Sequence, residues 1–183
     1  MPIVSLTSAL ILPIVPPEPL GIASCTISPG RIATWYINSI RARHDRVLAW
    51  LERSDVDVLA IQETKIDDAR FPVESFERLG YRVAHHGTNQ WNGVAIASRV
   101  GLDDVQVGVP DLPAFGEDPA VEARSLGALC GGVRVWSLYV PNGRAVDDPH
   151  YHYKLHWLAV LRDYAAKQLA DEPHLPMLLC GDF

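Results

Sequence analysis

The sequence has no excess of basic residues: 16 Lys and Arg stand against 22 Asp and Glu, which gives a formal net charge of −6. This balance excludes the strongly basic domain that is the simplest sign of nucleic-acid binding, but a local basic cleft or a bound cation can serve the same purpose. With 48% hydrophobic and 21% charged residues, the chain is also not a disordered polyelectrolyte, a collagen or a coiled coil. A length of 183 residues predicts one domain.

Cysteine is scarce as well. The three cysteines, Cys25, Cys130 and Cys180, are odd in number, far apart and without a Cys-x-x-Cys pair. This pattern excludes a disulfide framework and a cysteine zinc site. It predicts reduced, buried thiols and a cytoplasmic protein.

The first thirty residues lack charge almost entirely, since Glu18 is their one charged side chain, and they contain six of the 14 prolines. Their apolar run over 3–15 lacks the basic segment of an export signal, and prolines interrupt it well before membrane-spanning length. We therefore predict an irregular extension over 1–30, poorly ordered or outside the fold. The folded domain is predicted over 31–183, with no membrane association.

The rest of the chain alternates apolar runs of strand length with helical patterns. Strands are predicted at 31–37, 57–62, 81–85, 93–98, 133–140 and 175–180, and helices at 40–52, 71–79 and 151–169. Residues 101–120, rich in proline and acidic side chains, predict a loop with at most one edge strand. The order predicts an α/β fold in which helices cover the outer faces of mixed sheets.

The longest predicted helix, at 151–169, has apolar residues at helical spacing. The side chains expected to form its buried stripe are Leu155, Leu158, Leu161, Ala165 and Leu169.

Several predicted strands end in a polar residue. Asn38 follows the first strand, Glu63 the second, Tyr139 comes late in the fifth and Asp182 follows the sixth. In open α/β sheets the carboxyl ends of strands converge on the ligand crevice. Two carboxylates, an amide and a phenol there suit a hard divalent cation and a phosphate.

Five motifs occur in a fixed order, and together they resemble one family. They are Trp35-x-x-Asn-Ser-Ile-Arg-Ala-Arg43, Gln62-Glu-Thr-Lys65, Trp91-Asn-Gly-Val-Ala-Ile96, Leu138-Tyr-Val-Pro-Asn-Gly143 and Gly181-Asp-Phe183. The chain from 31 to 183 thus resembles the exodeoxyribonuclease III family of apurinic/apyrimidinic endonucleases. The resemblance implies a DNA repair nuclease, a Mg²⁺-dependent phosphodiesterase acting at abasic sites and 3′ ends of duplex DNA. It also implies the four-layered α/β sandwich of deoxyribonuclease I-like type, incomplete in this chain.

The same resemblance assigns roles to the strand-end residues. Glu63 falls on the family's metal-binding glutamate, and Asn38 on a polar position near the metal. Tyr139 falls on the tyrosine that contacts the scissile phosphate, and Asp182 on the aspartate that orients or activates the attacking water. The implied cofactor is Mg²⁺, with Mn²⁺ as an alternative. The implied partner is duplex DNA, bound by a monomer.

Four further side chains are candidates for DNA or phosphate binding: Lys65, Arg41, Arg124 and Asn142. Lys65 lies two residues after Glu63, so the strand end places it beside the expected metal. Lys65, Arg41 and Arg124 can form a local basic footprint for phosphates. Arg41 fits equally well as part of the solvated face of its helix.

The sequence departs from the family pattern at two places. Tyr36 stands where the family has an asparagine near the metal, which predicts weaker metal binding or a partly blocked pocket. The chain stops at Phe183, inside the Gly-Asp-x-Asn motif and before the family's active-centre histidine, so a fragment is expected.

These departures leave two alternatives open. One is a catalytically inactive fragment that at most binds DNA. The other is a sister phosphodiesterase or phosphatase of the same superfold, against which the motif at 138–143 argues.

Overall fold

The computed structural model describes residues 30–116 and 121–183. The extension expected over 1–30 therefore lies, apart from Gly30, outside the described residues, as does Cys25. The helices and strands, in chain order, are β1 (Ile32–Tyr36), α1 (Ile40–Arg53), β2 (Val58–Gln62), α2 (Val73–Glu77), β3 (Arg82–His86), β4 (Val94–Ser98), β5 (Asp103–Val107), β6 (Ser125–Cys130), β7 (Val133–Tyr139), α3 (Pro149–Asp171) and β8 (Met177–Asp182).

In the described part of the chain, eight strands form two four-stranded sheets. The first has the order β1-β2-β4-β3, in which β1 and β2 are parallel and the other pairs antiparallel. The second has the order β5-β6-β7-β8, in which β7 and β8 are parallel. Parallel strands end at the same edge of a sheet, so β1 ends beside β2 in the first sheet and β7 ends beside β8 in the second. The polar residues of the motifs that lie at these carboxyl ends are thereby brought together.

Three apolar cores separate four layers. Residues of α1 and α2 pack on the outer face of the first sheet, around Leu59 and Ile61. The inner faces of both sheets pack on each other, and α3 covers the outer face of the second sheet over Trp136 and Leu138. Neighbouring residues of one strand thus belong to different cores, because successive side chains point to opposite faces of the sheet. Among the described helices, none is both long and apolar enough to cross a membrane.

A polar pin, made of Gln62, Thr34 and Ser137, crosses the layer between the sheets. Gln62 Oε1 accepts a hydrogen bond from Thr34 Oγ1 at 3.1 Å, and Gln62 Nε2 donates to Ser137 Oγ at 3.0 Å. Ser137 Oγ in turn donates to the carbonyl oxygen of Ile61 at 3.0 Å. Gln62 and Ser137 are fully buried, and because each polar atom of the pin has a partner, the network fixes how the sheets meet.

The expected stripe of α3 is wrong in part. Its buried residues are Tyr153, Trp157, Leu161 and Ala165, at a spacing of four. Leu155 and Leu169 are about half exposed. Tyr153 and Trp157 join Leu161 on the second sheet, where they pack with Trp136 and Leu138.

Strand β6 has no counterpart among the predicted strands. Its residues include glycine and alanine, which are not typical of strands. A Cβ atom on Gly127 would come within 2.7 Å of the Trp136 ring on the neighbouring strand. The small residue is therefore required by tertiary packing, which a local pattern does not reveal. The loop predicted at 101–120, with at most one edge strand, contains β5 at the edge of the second sheet.

Candidate metal and phosphate site

A buried carboxylate and a phenol meet where β2 and β7 end. Tyr139 Oη donates a hydrogen bond to Glu63 Oε1 at 2.8 Å. Glu63 is only 7% exposed, and its second oxygen, Oε2, is buried without a hydrogen-bond partner among the described residues. A buried, charged oxygen left open is costly unless it has a ligand.

The backbone around this carboxylate is held in an unfavourable conformation. Glu63 and Lys65 have φ values of 58° and 55°, and Asn38 and Ser39 have 47° and 98°. Such left-handed conformations in residues other than glycine persist only where surrounding contacts determine them, and they cluster at functional sites.

Hydrogen bonds between the strand ends supply those contacts. The amides of Ser39 and Ile40 donate to the carbonyl oxygens of Glu63 and Thr64 at 2.7 and 2.9 Å. On the other side, the amide of Thr64 donates to the carbonyl oxygen of Gly93 at 3.1 Å. The turns after β1 and β2 thus hold each other in place.

Thr64 is anchored from two further directions. Its hydroxyl lies 2.8 Å from His85 Nε2, and His85 Nδ1 lies 2.7 Å from Asp68 Oδ1. Burial lowers the pKa of His85 to about 4, although Asp68 opposes the shift, so the ring is neutral near pH 7. A Cβ atom on Gly93, at φ 110°, would come within 2.1 Å of Thr64 Oγ1, so this position requires glycine.

Lys65 points back across the strand ends. Its Nζ donates to Asn38 Oδ1 at 2.6 Å and lies 3.4 Å from Glu63 Oε1. Arg43 Nη1 donates to the carbonyl oxygen of Asn38 at 2.8 Å. The structure therefore brings Asn38, Glu63 and Lys65 into one cluster.

Asp182 reaches the same region because β8 approaches β7 closely. A Cβ atom on Gly181, at φ 151°, would come within 1.8 Å of the carbonyl oxygen of Leu138, so only glycine allows this pairing. In the resulting register Asp182 is the partner of Tyr139. Both line a cavity of about 290 Å³, together with Tyr36, Arg124, Val140, Pro141, Asn142, Lys154 and Phe183.

Three side chains that line the cavity have pKa values above their ordinary range. Burial and the negative charge of Glu63 raise the pKa of Asp182, although Lys154 opposes the shift. Burial and the Glu63 carboxylate likewise raise the pKa of Tyr139 and of Tyr36. Both phenols are therefore neutral donors near pH 7.

The candidate phosphate-binding residues lie in different surroundings. The Arg124 guanidinium lies over the Tyr139 ring, 4.7 Å from its centroid, and bonds to Glu122. Asn142 lines the cavity, and its Oδ1 accepts a hydrogen bond from the amide of Arg144 at 2.7 Å. Arg41, in contrast, is exposed on α1 and does not line the cavity.

Lys154 is a cationic cavity residue that sequence reasoning missed. It lies in the second turn of α3, and its stem packs close to Gly143. Its one sequence signal is a basic residue soon after the Pro-Asn-Gly turn. That signal was obscured because neighbouring histidines and tyrosines have the same helical spacing.

Comparison with known proteins places the chain. Residues 33–183 match the Endonuclease/Exonuclease/phosphatase family. The chain belongs to this family. Exodeoxyribonuclease III of Haemophilus influenzae is 29% identical over 153 residues, which cover 83% of this chain and 56% of the relative. The resemblance inferred from the motifs is thus confirmed.

Two solved structures are similar in fold. A 3′ phosphatase from Neisseria, bound to a product DNA hairpin, matches with a TM-score of 0.75 and 35% identity over 83% of this chain and 56% of its own. An AP endonuclease from Archaeoglobus fulgidus matches with a TM-score of 0.70 and 37% identity over 82% and 56%.

The comparisons bear on the fold class. The four-layered, deoxyribonuclease I-like fold predicted from the resemblance is confirmed, with a chain that spans about half the length of the relatives it matches.

Proposed function

We propose that this chain provides the metal-binding and phosphate-binding part of a DNA repair nuclease, which hydrolyses duplex DNA at abasic sites and 3′ ends. The observation that carries the proposal is the open oxygen of Glu63, which is buried beside the hydroxyl of Tyr139, a residue that lines the cavity. The matched relatives act on nucleic acid, and one similar structure holds a DNA hairpin.

Phosphate binding is assigned to the cationic and amide groups of the cavity. Arg124 lies directly before β6 and Lys154 lies on α3, so the two cations flank the cavity from different parts of the chain. Two cations and the Asn142 side chain can bind the oxygens of one phosphate group by charge-assisted hydrogen bonds. This local basic wall would serve a chain whose net charge is negative.

The residues fit a divalent metal held by a single carboxylate. Members of the family generally depend on a divalent metal. Among the described residues no group of three or more His, Cys, Asp and Glu could hold an ion, so a metal cage made entirely of protein is absent from that part of the chain. Mg²⁺ is commonly bound by one or two carboxylates, with water and phosphate completing its shell. Glu63 Oε2 would be its ligand, with the Asn38 amide oxygen as the second candidate and Mn²⁺ as an alternative ion.

The chemistry is in-line hydrolysis. Water attacks the phosphorus, one water proton passes to the Asp182 carboxylate, and the bond to the leaving 3′-oxygen breaks while that oxygen takes a proton from solvent to become a hydroxyl. The raised pKa of Asp182 makes it a better proton acceptor than an ordinary aspartate. Tyr139, held neutral, has a single hydroxyl proton, which would turn from Glu63 Oε1 to a phosphoryl oxygen when the phosphate is bound. A bound Mg²⁺ supplies charge neutralisation at the phosphoryl and leaving oxygens.

A second candidate function is DNA binding without cleavage. Tyr36 is 44% exposed, lines the cavity, and has its ring centroid 6.2 Å from that of Tyr139. A phenol there narrows the space beside the Glu63 carboxylate, as expected from the departure of Tyr36 from the family pattern.

Cleavage of a duplex with one abasic-site analogue tests the proposal. The full chain would be assayed with Mg²⁺ and with EDTA, beside Glu63→Ala and the exposed-residue control Glu52→Ala. We expect nicking that needs Mg²⁺, falls about 100-fold or more in Glu63→Ala, and is unchanged in Glu52→Ala. Salt-sensitive binding without nicking would instead support the second candidate. Nicking that survives EDTA would contradict the metal assignment.

A further inference from the structure

The Asn38–Glu63 pair, to which metal binding was assigned, already has a cation beside it. The Lys65 ammonium is 2.6 Å from Asn38 Oδ1 and 3.4 Å from Glu63 Oε1. The Lys65 side chain is 28% exposed, so most of it is enclosed by the cluster. Its left-handed backbone, at φ 55°, contributes to directing the side chain back over the strand end.

The position of Lys65 changes the charge that an incoming metal meets. Glu63 contributes one negative charge, and Lys65 cancels it at a distance of 3.4 Å. A divalent ion that approaches Asn38 and Glu63 is therefore repelled by an ammonium at close range, while the amide oxygen is already used.

We propose that Lys65 is an internal counter-ion, which occupies the cation position between Asn38 and Glu63 and weakens divalent-metal binding there. The metal then binds through Glu63 Oε2, the oxygen that Lys65 and Tyr139 leave open, rather than between the two side chains. This inference rests on the proposed function, in which Glu63 is the metal ligand. It gives Lys65 a role in tuning metal affinity and not in phosphate binding.

The inference predicts an increase in affinity when the lysine charge is removed. Mn²⁺ and Mg²⁺ binding to the full chain would be measured by calorimetry, and Mn²⁺ binding also by electron paramagnetic resonance. Lys65→Gln removes the charge but keeps a donor for Asn38, and we expect metal binding about tenfold tighter or more. Lys65→Met, which carries no donor, should change affinity in the same direction.

Two controls separate charge at the site from net charge. Lys65→Arg keeps the cation and should bind metal within about twofold of the parent protein. Arg46→Gln removes a positive charge from the exposed surface of α1 and should leave metal affinity unchanged. Damage to the site would weaken metal binding, so tighter binding in these variants comes from removal of the lysine charge. Equal or weaker metal binding in both Lys65→Gln and Lys65→Met would overturn the inference.

Glu63→Gln distinguishes this failure from failure of the proposed function. If Glu63→Gln abolishes metal binding and Lys65→Gln leaves affinity unchanged, only the counter-ion role is wrong. If Glu63→Gln binds metal as well as the parent protein does, or no variant binds metal, the metal site at Glu63 is wrong and both proposals fail.

Discussion

Gln62 and Glu63 are neighbours in sequence and both are buried, yet the fold surrounds them differently. Both polar atoms of the Gln62 amide have partners in the pin between the sheets. Glu63 has one oxygen bound by Tyr139 and one left open. Buried polar groups are nearly always satisfied, so the exception calls for an explanation. The comparison teaches that the pin stabilises the fold, whereas the carboxylate is kept ready for a ligand.

The backbone shows the same contrast. Gln62 lies within the regular pairing of β1, β2 and β4. One residue later the chain turns into left-handed conformations at Glu63 and Lys65. The regular strand provides a rigid base, and the strained turn positions side chains at its end.

The largest effect is expected where a satisfied group is removed. Gln62→Leu leaves Thr34 without its acceptor and Ser137 without its donor, so the free energy of unfolding should fall by about 2–3 kcal/mol. Glu63→Gln keeps an acceptor for Tyr139 but removes the partner charge of Lys65 at 3.4 Å, so the free energy of unfolding should fall by about 1 kcal/mol or less. Urea denaturation followed by circular dichroism measures both. A larger loss in Glu63→Gln would break the comparison, since the carboxylate would then be structural.

An intermediate effect is expected from the strained backbone. Ser39 is the N-cap residue, which comes directly before α1, and its φ is 98°. Among the described residues its side chain makes no capping hydrogen bond. Ser39→Gly should therefore raise the free energy of unfolding by about 0.5–1 kcal/mol, because glycine adopts this conformation without strain. The matched control is Ser54→Gly at the other end of α1, where φ is −94° and glycine should destabilise. A loss of stability in Ser39→Gly would show that the turn is not strained.

The smallest effect concerns two carboxylates with opposite pKa shifts. The raised pKa of Asp182 means that the folded protein keeps this proton to higher pH than the unfolded chain. Stability from this group therefore falls as pH rises from about 4 through the raised pKa. Asp182→Asn removes that loss, so its stability relative to the parent protein should increase slightly as pH rises to 7; the effect is small because Asp182 is exposed and water screens its charge.

Asp57 is the control with satisfied oxygens. Although burial opposes the shift, hydrogen bonds from the Arg31 amide and the Arg99 side chain lower the pKa of Asp57. The stability it contributes is present above pH 4 and is lost as pH falls through the lowered pKa. Thermal unfolding of Asp57→Asn across pH 4–7 should show lower stability than the parent protein at pH 7. The same sign in both variants would contradict the comparison.

The fold could be predicted in outline because its strands and helices have clear local patterns. The predicted strands at 57–62 and 93–98 differ from β2 and β4 by one residue at the start. The helix predicted at 71–79 is shorter in the structure, where α2 spans Val73–Glu77. Strand β6 was missed, because Gly127 suits a strand only when Trp136 lies against it.

The site could be predicted in part because its residues follow strands. Asn38, Glu63, Tyr139 and Asp182 were chosen from strand ends and motifs, and the structure brings Glu63 within contact of Tyr139 and the Asn38–Lys65 pair. Their catalytic and metal-binding roles stay predictions. Lys154 was missed, since the packing of α3 on the second sheet, and not a local pattern, places it at the cavity.

The sequence by itself determined which side chains could meet. Apolar runs of strand length followed by polar residues predict that these residues lie at the carboxyl ends of their strands, where α/β folds form their ligand crevice. The order of the motifs adds the family, which a local pattern in any one of them does not establish.

The tertiary structure alone decided how those side chains are charged and satisfied. The open oxygen of Glu63, the ammonium of Lys65 beside Asn38, and the raised pKa of Asp182 depend on burial and on distances between residues far apart in sequence. Electrostatic free energies vary with distance and with exposure to water, and neither quantity is set by sequence order.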